Sequence, residues 1–530
     1  MSSSAWWREG VIYQIYPRSF QDSNGDGVGD LPGIISRLDY LQWLGVDAVW
    51  LTPITVSPDA DFGYDVADYC GVQSMFGDLN DLDALIRAAG ERGIKLVLDI
   101  VPNHTSDRHP WFIDARSSRT SRHRDWYVWA DPKSDGSRPN NWVSAFGGPA
   151  WTLDGTTGQY YLHNFLPEQP DLNWWNPEVR DAFDAIYRFW FDRGVAGFRI
   201  DVAHGIVKDR ELRDNPIATK DDPPHVRAVG QRMIYNVERP EVHDVLRHWR
   251  QLADTYDPPR ILLGETYVLD IRNMGRFYGT GDELHLAFNF TYVHAPFQAT
   301  ALAEVVAESE LVIPDVGWPV WTASNHDVPR VMSRWAGGDE RKLRCALLSL
   351  LTLRGTPVLY YGDEIGMPDT TIRKEDLQDP MGKRHWPKPR GRDPERTPMP
   401  WRNTAGAGFT DSGTRPWLPI GDAASRNVDD QRRDPSSTLS FMRDLISIRR
   451  STPDLQSGEY RQLDAPAGAW VWRRGRGTTI GLNLSDRPVS IAGLVGRILM
   501  DTTRARAGER LDGELELEPW QGAVCSSAST

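Results

Sequence analysis

Cysteine, positive charge and long apolar runs are all scarce in this 530-residue chain. Cys70, Cys345 and Cys525 lie too far apart for a metal motif, and their odd number argues against a disulfide framework. The formal net charge of -13 should repel polyanions, so neither nucleic acid nor a membrane is an expected partner. No run approaches the ~18 apolar residues of a membrane span, and no signal-like stretch precedes "VIYQIYP". We therefore expect a cytoplasmic protein.

Short apolar segments alternate with helical stretches over most of the chain. The strand-like segments are "VIYQIYP", "VDAVWLTP", "IKLVLDIVPNH", "GVAGFRIDVA", "RILLGETYV", "LHLAFNF", "PVWTASNHD" and "TPVLYYGDE". Their continuous apolar character fits parallel strands that are buried on both faces. Eight such units predict the α/β class and a closed (β/α)8 TIM barrel, with an open doubly wound sheet as the alternative.

Three stretches depart from this alternation. Residues 105–171 are rich in Trp, Gly, Asn, Ser and Pro, and predict a subdomain inserted after the third strand at the barrel mouth. Residues 366–436 are polar and Pro-rich, and predict a long final loop over the same mouth. Short strand-like segments over 456–530 predict a C-terminal antiparallel β-sandwich domain. The barrel then comprises residues 1–104 and 172–455.

Polar residues gather where the predicted strands end, which in a barrel is the active-site mouth. They are Asp99, His104, Arg199, Asp201, Glu265, His326 and Asp327. Arg199 shares a strand face with Asp201 and favours its ionised form, as a nucleophile needs. Glu265 follows the apolar "RILLG", where a carboxyl tends to stay protonated and can serve as an acid. Such a pair can cleave a glycosidic bond, although each acid alone would more often be a helix cap or salt-bridge partner.

The segment "QDSNGDGVGD", residues 21–30, resembles half of a calcium-sensor loop. An EF-hand needs a bidentate Glu at its twelfth position, which here is Gly33, so the pattern excludes an EF-hand. The residues themselves leave two possibilities open, a bound hard cation or a metal-free Asx-rich turn in which Asp30 caps the following helix.

Four motifs carry a family resemblance: "DIVPNH", "GFRIDVA", "GET" and "SNHD", in this order. Together they resemble the four sequence regions of the α-amylase superfamily, glycoside hydrolase family 13, and the likeness extends over essentially the whole chain. "QPDLNWWNPEVR" and "RTPMPW" are similar to the exo-acting α-glucosidase and oligo-1,6-glucosidase group. The resemblance implies a retaining double displacement without a catalytic cofactor. Asp201 would be the nucleophile, Glu265 the acid/base and Asp327 the transition-state stabiliser.

The resemblance also implies how a small oligosaccharide substrate is held. His104, Arg199 and His326 would bind the glucose at the cleavage point. In the segment "DFGYD", Asp61 would bind the hydroxyls on the far side of the glucose, and Tyr64 would form a stacking platform for it. An arginine of "GRDPERTP", Arg392 in preference to Arg396, would pair with Asp61 and close the pocket behind one glucose.

For the segment 21–30 the resemblance implies a structural calcium or magnesium ion. Its ligands would be the side-chain oxygens of Asp22, Asn24, Asp26 and Asp30 and the backbone carbonyl of Val28.

The sequence indicates less clearly which glycosidic linkage is cleaved and whether the glucose is released or transferred. In this family a valine after the nucleophile, here Val202, goes with α-1,6 substrates, whereas "GFRIDVAHGIVKDRELRDNP" resembles bacterial α-glucosidases acting on maltose. We expect an α-glucosidase favouring maltose and maltooligosaccharides, with an oligo-1,6-glucosidase as the alternative. Trehalose synthases and sucrose isomerases share the covalent intermediate, so an isomerase or transglucosylation also stays open. A non-enzymatic relative would have lost the carboxylates. We expect a monomer or homodimer.

Overall fold

Eight parallel strands form the centre of this computed structural model, which describes residues 5–388 and 390–527. The strands are Ile12–Ile15, Ala48–Leu51, Lys95–Ile100, Gly197–Ile200, Ile261–Gly264, Leu286–Ala287, Val320–Thr322 and Thr356–Tyr360. Each pairs with its neighbours in chain order, and the first strand also pairs with the eighth. A parallel bridge between Phe288 and Val320 joins the sixth strand to the seventh and closes the ring. The predicted barrel is confirmed.

Helices surround the strands on the outside of the barrel. The principal ones are Leu31–Ser36, Leu38–Leu44, Leu79–Glu91, Pro177–Asp192, Val242–Asp254, Ile271–Gly275, Ala299–Val312, Glu340–Thr352 and Thr438–Ser451. Their ends follow local sequence signals, such as the capping box between Asp78 and Asp81 and the cap by Asn176 before Pro177. In the described part of the chain, no helix combines the length and apolarity that crossing a membrane would require.

The helical stretch after the first strand consists of two helices that meet at Arg37. At this junction Arg37 Nε donates to Gln21 Oε1 at 2.7 Å, and Arg37 Cζ lies 4.1 Å from the centroid of the Trp401 ring. This side chain ties the first βα unit to the long loop that follows the eighth strand.

Side chains alternate between two cores along each barrel strand. Ile12, Trp50, Val97 and Leu263 point into the barrel and form one apolar cluster. Their neighbours in sequence point outward and pack beneath the helices in the largest cluster. The packed interior leaves the C-terminal ends of the strands as the open face on which polar residues can gather.

Two irregular segments extend over this face. Between the third strand and the helix Pro177–Asp192, the strands Trp129–Ala130, Trp151–Leu153 and Tyr160–Leu162 form a small antiparallel sheet. After the eighth strand, the described residues between 366 and 436 form short helical turns and the helices Pro380–His385 and Val428–Arg433. The proposed domain boundaries themselves stay predictions.

The C-terminal region is an antiparallel sheet, as predicted. Its strands are Tyr460–Leu463, Ala469–Arg474, Thr478–Asn483, Val489–Asp501, Arg510–Leu517 and Gly522–Ser527, and all belong to one sheet. This sheet curls over itself, since a Cβ on Gly481 would come within 2.8 Å of Ile491 Cδ1. The curled sheet encloses an apolar cluster that is separate from the two cores of the barrel.

Candidate active site

One arginine and three carboxyl groups form the centre of the barrel mouth. Arg199 Nη1 lies 2.8 Å from Asp99 Oδ1 and 2.7 Å from Asp201 Oδ1, and its Nη2 lies 2.9 Å from Glu265 Oε2. These residues stand at the ends of the third, fourth and fifth strands, which are paired side by side. The parallel register therefore brings the two proposed reacting carboxyls, Asp201 and Glu265, to the same guanidinium.

Burial governs the protonation of this cluster. It raises the pKa of Asp201 well above its ordinary value, with the charges of Glu265 and Asp99 adding to the shift and Arg199 opposing it. Burial likewise raises the pKa of Asp99 to about 7. Arg199 favours the ionised form of Asp201, as predicted, whereas burial and the neighbouring carboxyls act in the opposite direction. One guanidinium faces three carboxyls, so their mutual repulsion works against full ionisation of the cluster.

Asp327, after the seventh strand, lies among cationic and imidazole groups. Arg396 Nη2 is 2.6 Å and Arg392 Nη1 is 3.2 Å from Asp327 Oδ1, while His326 Nε2 is 3.3 Å from its Oδ2. Burial acts to raise the pKa of Asp327, but the charges of Arg392 and Arg396 outweigh it and hold the pKa below its ordinary range. Asp327 is therefore the carboxylate of the site that stays ionised.

An ion-pair cluster links loops from two ends of the barrel sequence. Arg392 Nη2 lies 2.6 Å from Asp61 Oδ1 and 2.8 Å from Asp379 Oδ1. Asp61 belongs to the loop after the second strand, whereas Arg392 and Asp379 belong to the long loop after the eighth. Burial raises the pKa of Asp61 and Arg392 opposes that rise. The structure thus places Arg392 on Asp61, while Arg396 contacts Asp327.

Tyr64 connects the two predicted sugar-binding histidines. Its ring stacks on His326 with centroids 5.4 Å apart and an interplanar angle of 7°. Its backbone carbonyl lies 3.0 Å from His104 Nε2. Burial lowers the pKa of His104 to about 4 and that of His326 well below its ordinary value, so both rings are neutral at pH 7. Neutral imidazoles offer one donor and one acceptor each.

Val202 has an unusual backbone conformation directly after Asp201. Its φ is 46°, a left-handed value that is strained for a β-branched residue. In this conformation the Val202 N–H donates to Glu265 Oε2 at 2.9 Å. The strained residue therefore joins the loop of the proposed nucleophile to the proposed acid.

The loop at 21–30 is shaped by hydrogen bonds to its own backbone. Asp22 Oδ1 accepts from Gly25 N at 2.7 Å, and its Oδ2 accepts from Gly27 N at 2.9 Å. Asp30 Oδ1 accepts from Gly33 N at 2.6 Å, which confirms that Asp30 caps the helix starting at Leu31.

Asn24 and Asp26 make turns of the same kind. Asn24 Oδ1 accepts from Asp26 N at 2.9 Å, and Asp26 Oδ1 accepts from Val28 N at 2.8 Å. Across residues 5–388 and 390–527, no three His, Cys, Asp or Glu side chains are grouped so as to hold a metal ion. The loop as placed therefore fits the Asx-rich turn, and the calcium or magnesium ion stays a prediction.

Three further residues reach the site without having been assigned to it from the sequence. Gln169 Nε2 lies 3.2 Å from Asp61 Oδ2 and 3.1 Å from His104 Nε2. Asp379 and Arg396 make the ion pairs described above. Gln169 falls within "QPDLNWWNPEVR", so that motif could have indicated it. Asp379 precedes Pro380, which signals a helix cap but not a contact with Arg392.

The motifs and geometry agree with comparisons to known proteins. A model of the α-amylase catalytic domain matches residues 14–458. The chain belongs to the α-amylase family. A probable α-glucosidase of Rhizobium meliloti (strain 1021) is 42% identical over 532 residues, covering 97% of this chain and 96% of that one. An oligo-1,6-glucosidase of Heyndrickxia coagulans is 37% identical over 528 residues, covering 92% and 93%.

Solved structures of α-amylase-family enzymes resemble the whole molecule. The α-glucosyl transfer enzyme XgtA matches with a TM-score of 0.93 and 40% identity, covering 99% of this chain and 100% of that one. The trehalulose synthase MutB from Pseudomonas mesoacidophila MX-45 matches with a TM-score of 0.90 and 33% identity, with the same coverage. This family member is accordingly a glycoside hydrolase of the α-glucosidase and oligo-1,6-glucosidase group.

Proposed function

We propose that the protein is an exo-acting retaining α-glucosidase that releases glucose from the non-reducing end of short α-glucosides. The ion pair between Arg392 and Asp61 carries this proposal, because it joins the two loops beside Asp327 and limits the pocket to one terminal glucose. Asp379 binds the same guanidinium at two points, Nε and Nη2, and this buried contact gives a fixed wall rather than a flexible rim.

The first chemical step uses the carboxyl pair on Arg199. Asp201 attacks the anomeric carbon, and Glu265 transfers its proton to the glycosidic oxygen as the bond to the leaving sugar breaks. Asp327, which stays ionised, stabilises the positive charge that develops on the glucose ring.

The second step returns the enzyme to its starting state. Glu265, now ionised, takes a proton from water, whose oxygen attacks the anomeric carbon and displaces Asp201. Two inversions at the same carbon give glucose with the α configuration of the substrate.

For the linkage, we propose a preference for the α-1,4 bonds of maltose and maltooligosaccharides over α-1,6 bonds. The extended segment after the nucleophile supports this preference, whereas Val202 favours α-1,6. The relatives divide in the same way, since one carries the name α-glucosidase and another oligo-1,6-glucosidase.

The test follows products by proton NMR from maltose, isomaltose, sucrose and trehalose supplied separately. We expect glucose to appear first as the α-anomer and fastest from maltose, with Asp201→Ala as the blank. Faster release from isomaltose would assign the alternative linkage. Initial β-anomer, or no cleavage of any of the four sugars, would refute the proposal.

Glucosyl transfer is a second outcome that the same site supports. XgtA, at a TM-score of 0.93, is described as an α-glucosyl transfer enzyme. In transfer, a sugar hydroxyl instead of water attacks the anomeric carbon in the second step, and Glu265 takes the proton of that hydroxyl. Maltotriose or isomaltose accumulating from concentrated maltose would identify transfer, and glucose alone would identify hydrolysis.

For the loop at 21–30, we propose a structural calcium or magnesium ion with no part in catalysis. The family resemblance supports it, although Asp30 would have to share its carboxylate with the helix cap. Thermal unfolding in calcium against EDTA is the check. We expect a higher Tm with calcium and a smaller gain in Asp26→Asn, and an equal Tm in both buffers would leave the Asx-rich turn as the whole explanation.

A further inference from the structure

Both sugar-binding histidines turn one ring nitrogen towards a buried carboxamide. Asn103 Nδ2 lies 3.0 Å from His104 Nδ1, and Gln14 Nε2 lies 2.8 Å from His326 Nδ1. All four side chains are at most 1% exposed. Which ring nitrogen carries the proton in each histidine therefore depends on how these two amides are oriented.

The orientation of Asn103 is fixed by a buried lysine. Lys208 Nζ donates to Asn103 Oδ1 and lies 3.0 Å from Asp171 Oδ2. An ammonium group can only donate, so the amide oxygen faces Lys208 and the amide NH2 faces His104 Nδ1 and Asp171 Oδ1. His104 Nδ1 must then be the acceptor, which places the ring proton on Nε2.

The other end of the His104 ring gives the same answer. Its Nε2 lies 3.0 Å from the Tyr64 carbonyl oxygen, an atom that can only accept. Gln169 Nε2, which bonds to Asp61 Oδ2, stands 3.1 Å from the same nitrogen. As a donor it favours a bare Nε2, but the Tyr64 carbonyl and the Asn103 amide both favour the proton there and decide the assignment.

For His326 the deduction runs from a carboxyl group. Asp327 Oδ2, an ionised acceptor, lies 3.3 Å from His326 Nε2 and favours a proton on that nitrogen. Tyr64, whose hydroxyl donates to Asp99 Oδ2 at 3.1 Å, can accept from the same Nε2, which is 2.5 Å away. The neutral ring then has a bare Nδ1, and Gln14 meets it with N–H. Among the described residues Gln14 Oε1 has no hydrogen-bond partner, so the contact with His326 sets the orientation of this amide.

We propose that Asn103, oriented by Lys208, and Gln14 are positioning residues that fix His104 and His326 as neutral imidazoles with the proton on Nε2. The Nε2–H of each ring then bonds to Tyr64, and both rings stay uncharged. Tyr64 is thereby held in place, and a neutral ring does not repel the positive charge that forms at the anomeric carbon. This consequence for substrate rests on the proposed function, whereas the protonation pattern itself does not.

Other charges act on each ring and must be included in any pH test. Asp171 favours a charged His104, while Lys208 opposes it. Around His326, Asp327 favours the charged ring, and the groups opposing it are Arg396, Arg199 and Arg392. The neighbouring rings of His326 are Tyr64, Tyr16 and Trp50. In both places burial is the largest influence and favours the neutral ring.

The direct test observes the ring nitrogens. Protein labelled with 15N-histidine is recorded by long-range nitrogen–proton correlation at pH 7, and the two rings are assigned from His104→Gln and His326→Gln. We expect protonated Nε2 and bare Nδ1 in both rings. In Asn103→Asp, whose carboxylate accepts where the amide donated, we expect a protonated His104 Nδ1. Gln14→Glu should do the same to His326. A protonated Nδ1 in either wild-type ring would overturn the proposal.

The kinetic test uses the pH profile of kcat/KM for maltose. The carboxylate introduced by Asn103→Asp should raise the His104 pKa. Below the new pKa both ring nitrogens carry a proton. As the pH rises through it, Nδ1 keeps its proton beside the new carboxylate and Nε2 loses its own. We expect kcat/KM relative to wild type to fall roughly tenfold between pH 6 and 8, the loss of one hydrogen bond. Asn164→Asp also buries a carboxylate near Asp171 but contacts no histidine, and should lose activity equally at both pH values.

The outcomes separate this proposal from the proposed function. If wild type cleaves maltose but Asn103→Asp and Asn164→Asp have the same pH profile and the same His104 signals, the positioning proposal is wrong. If wild type cleaves no α-glucoside, the proposed function is wrong and the spectra still decide the protonation of both rings. Should Asn103→Asp fail to fold, Gln14→Glu provides the same comparison on His326.

Discussion

Asp201 is placed so that its loss should separate catalysis from folding. Its carboxyl is buried beside Asp99 and Glu265, and burial and these like charges raise its pKa. In Asp201→Ala we expect kcat on maltose to fall by about 10⁴-fold or more, while the Tm stays the same or rises because one buried acid is gone. Kinetics and thermal denaturation of the same sample check this, and a rate within tenfold of wild type would remove Asp201 from its role.

A second buried acid, Asp363, should make stability depend on pH without touching catalysis. Its Oδ2 accepts from Ser324 Oγ, and burial raises its pKa to about 7, with Arg330 opposing the rise. Because the folded pKa is raised, the stabilising contribution is complete below the ordinary carboxyl pKa and is lost as pH rises through about 7.

Asp363→Asn removes that loss, so its free energy of unfolding relative to wild type should improve between pH 5 and 8, by about 2–3 kcal/mol. Urea unfolding at the two pH values measures the difference. Asp39→Asn, at an exposed carboxyl, is the control and should show no such trend. A constant difference between Asp363→Asn and wild type would show that Asp363 does not titrate in this range.

At the scale of elements, the strands were predictable because burial on both faces leaves continuous apolar segments. The strand-end residues Asp201, Glu265 and Asp327 followed, since parallel register brings the ends of adjacent strands together. The contacts of Arg37, where the two helices meet, were not predictable, because its partner Trp401 lies far along the chain.

The loops were harder to predict than the strands. Arg392, Asp379 and Gln169 come from irregular segments whose approach is decided by tertiary contacts rather than by a repeat. A motif can suggest that such a residue matters, as it did for Arg392. The family resemblance also named its partner Asp61 but not the second carboxylate, Asp379. Neighbours in sequence likewise do not reveal the burial that raises the pKa of Asp201.

The loop after the eighth strand should control substrate size through Arg392. Replacing it in Arg392→Met leaves Asp61 and Asp379 buried without their cation, at a cost of about 3–5 kcal/mol. We expect KM for maltose to rise at least tenfold, and cleavage of longer maltooligosaccharides to suffer less. Arg390→Met, on the exposed part of the same loop, should match wild type. Equal KM values for Arg392→Met and Arg390→Met would show that Arg392 does not close the pocket.

At the scale of the whole molecule, the C-terminal sheet is part of the barrel's packing. Trp470 and Trp472 belong to the same apolar cluster as the barrel helices, and Arg474 Nη1 donates to Thr352 O at 2.7 Å. Trp520 stacks on Phe297 with centroids 6.0 Å apart. The sheet covers apolar helix surface that would otherwise meet water.

A chain ending at residue 455 should therefore aggregate. We expect most of it in the insoluble fraction on expression, and any soluble material to elute as large species in size-exclusion chromatography. Trp520→Ala, which removes one contact and keeps the sheet, should stay soluble with a lower Tm. A soluble, monomeric truncated protein with the wild-type Tm would show that the sheet is dispensable for the barrel.

The wall built from Arg392 and Asp61 has a consequence for the supply of glucose. If each catalytic cycle begins when one chain end enters a pocket that holds a single ring, the rate depends on the number of substrate molecules rather than on their mass. At equal weight, a preparation of disaccharide offers many more ends than a long glucan and should be consumed correspondingly faster. The protein would then act last in a degradation sequence, after other enzymes have turned polymers into short pieces.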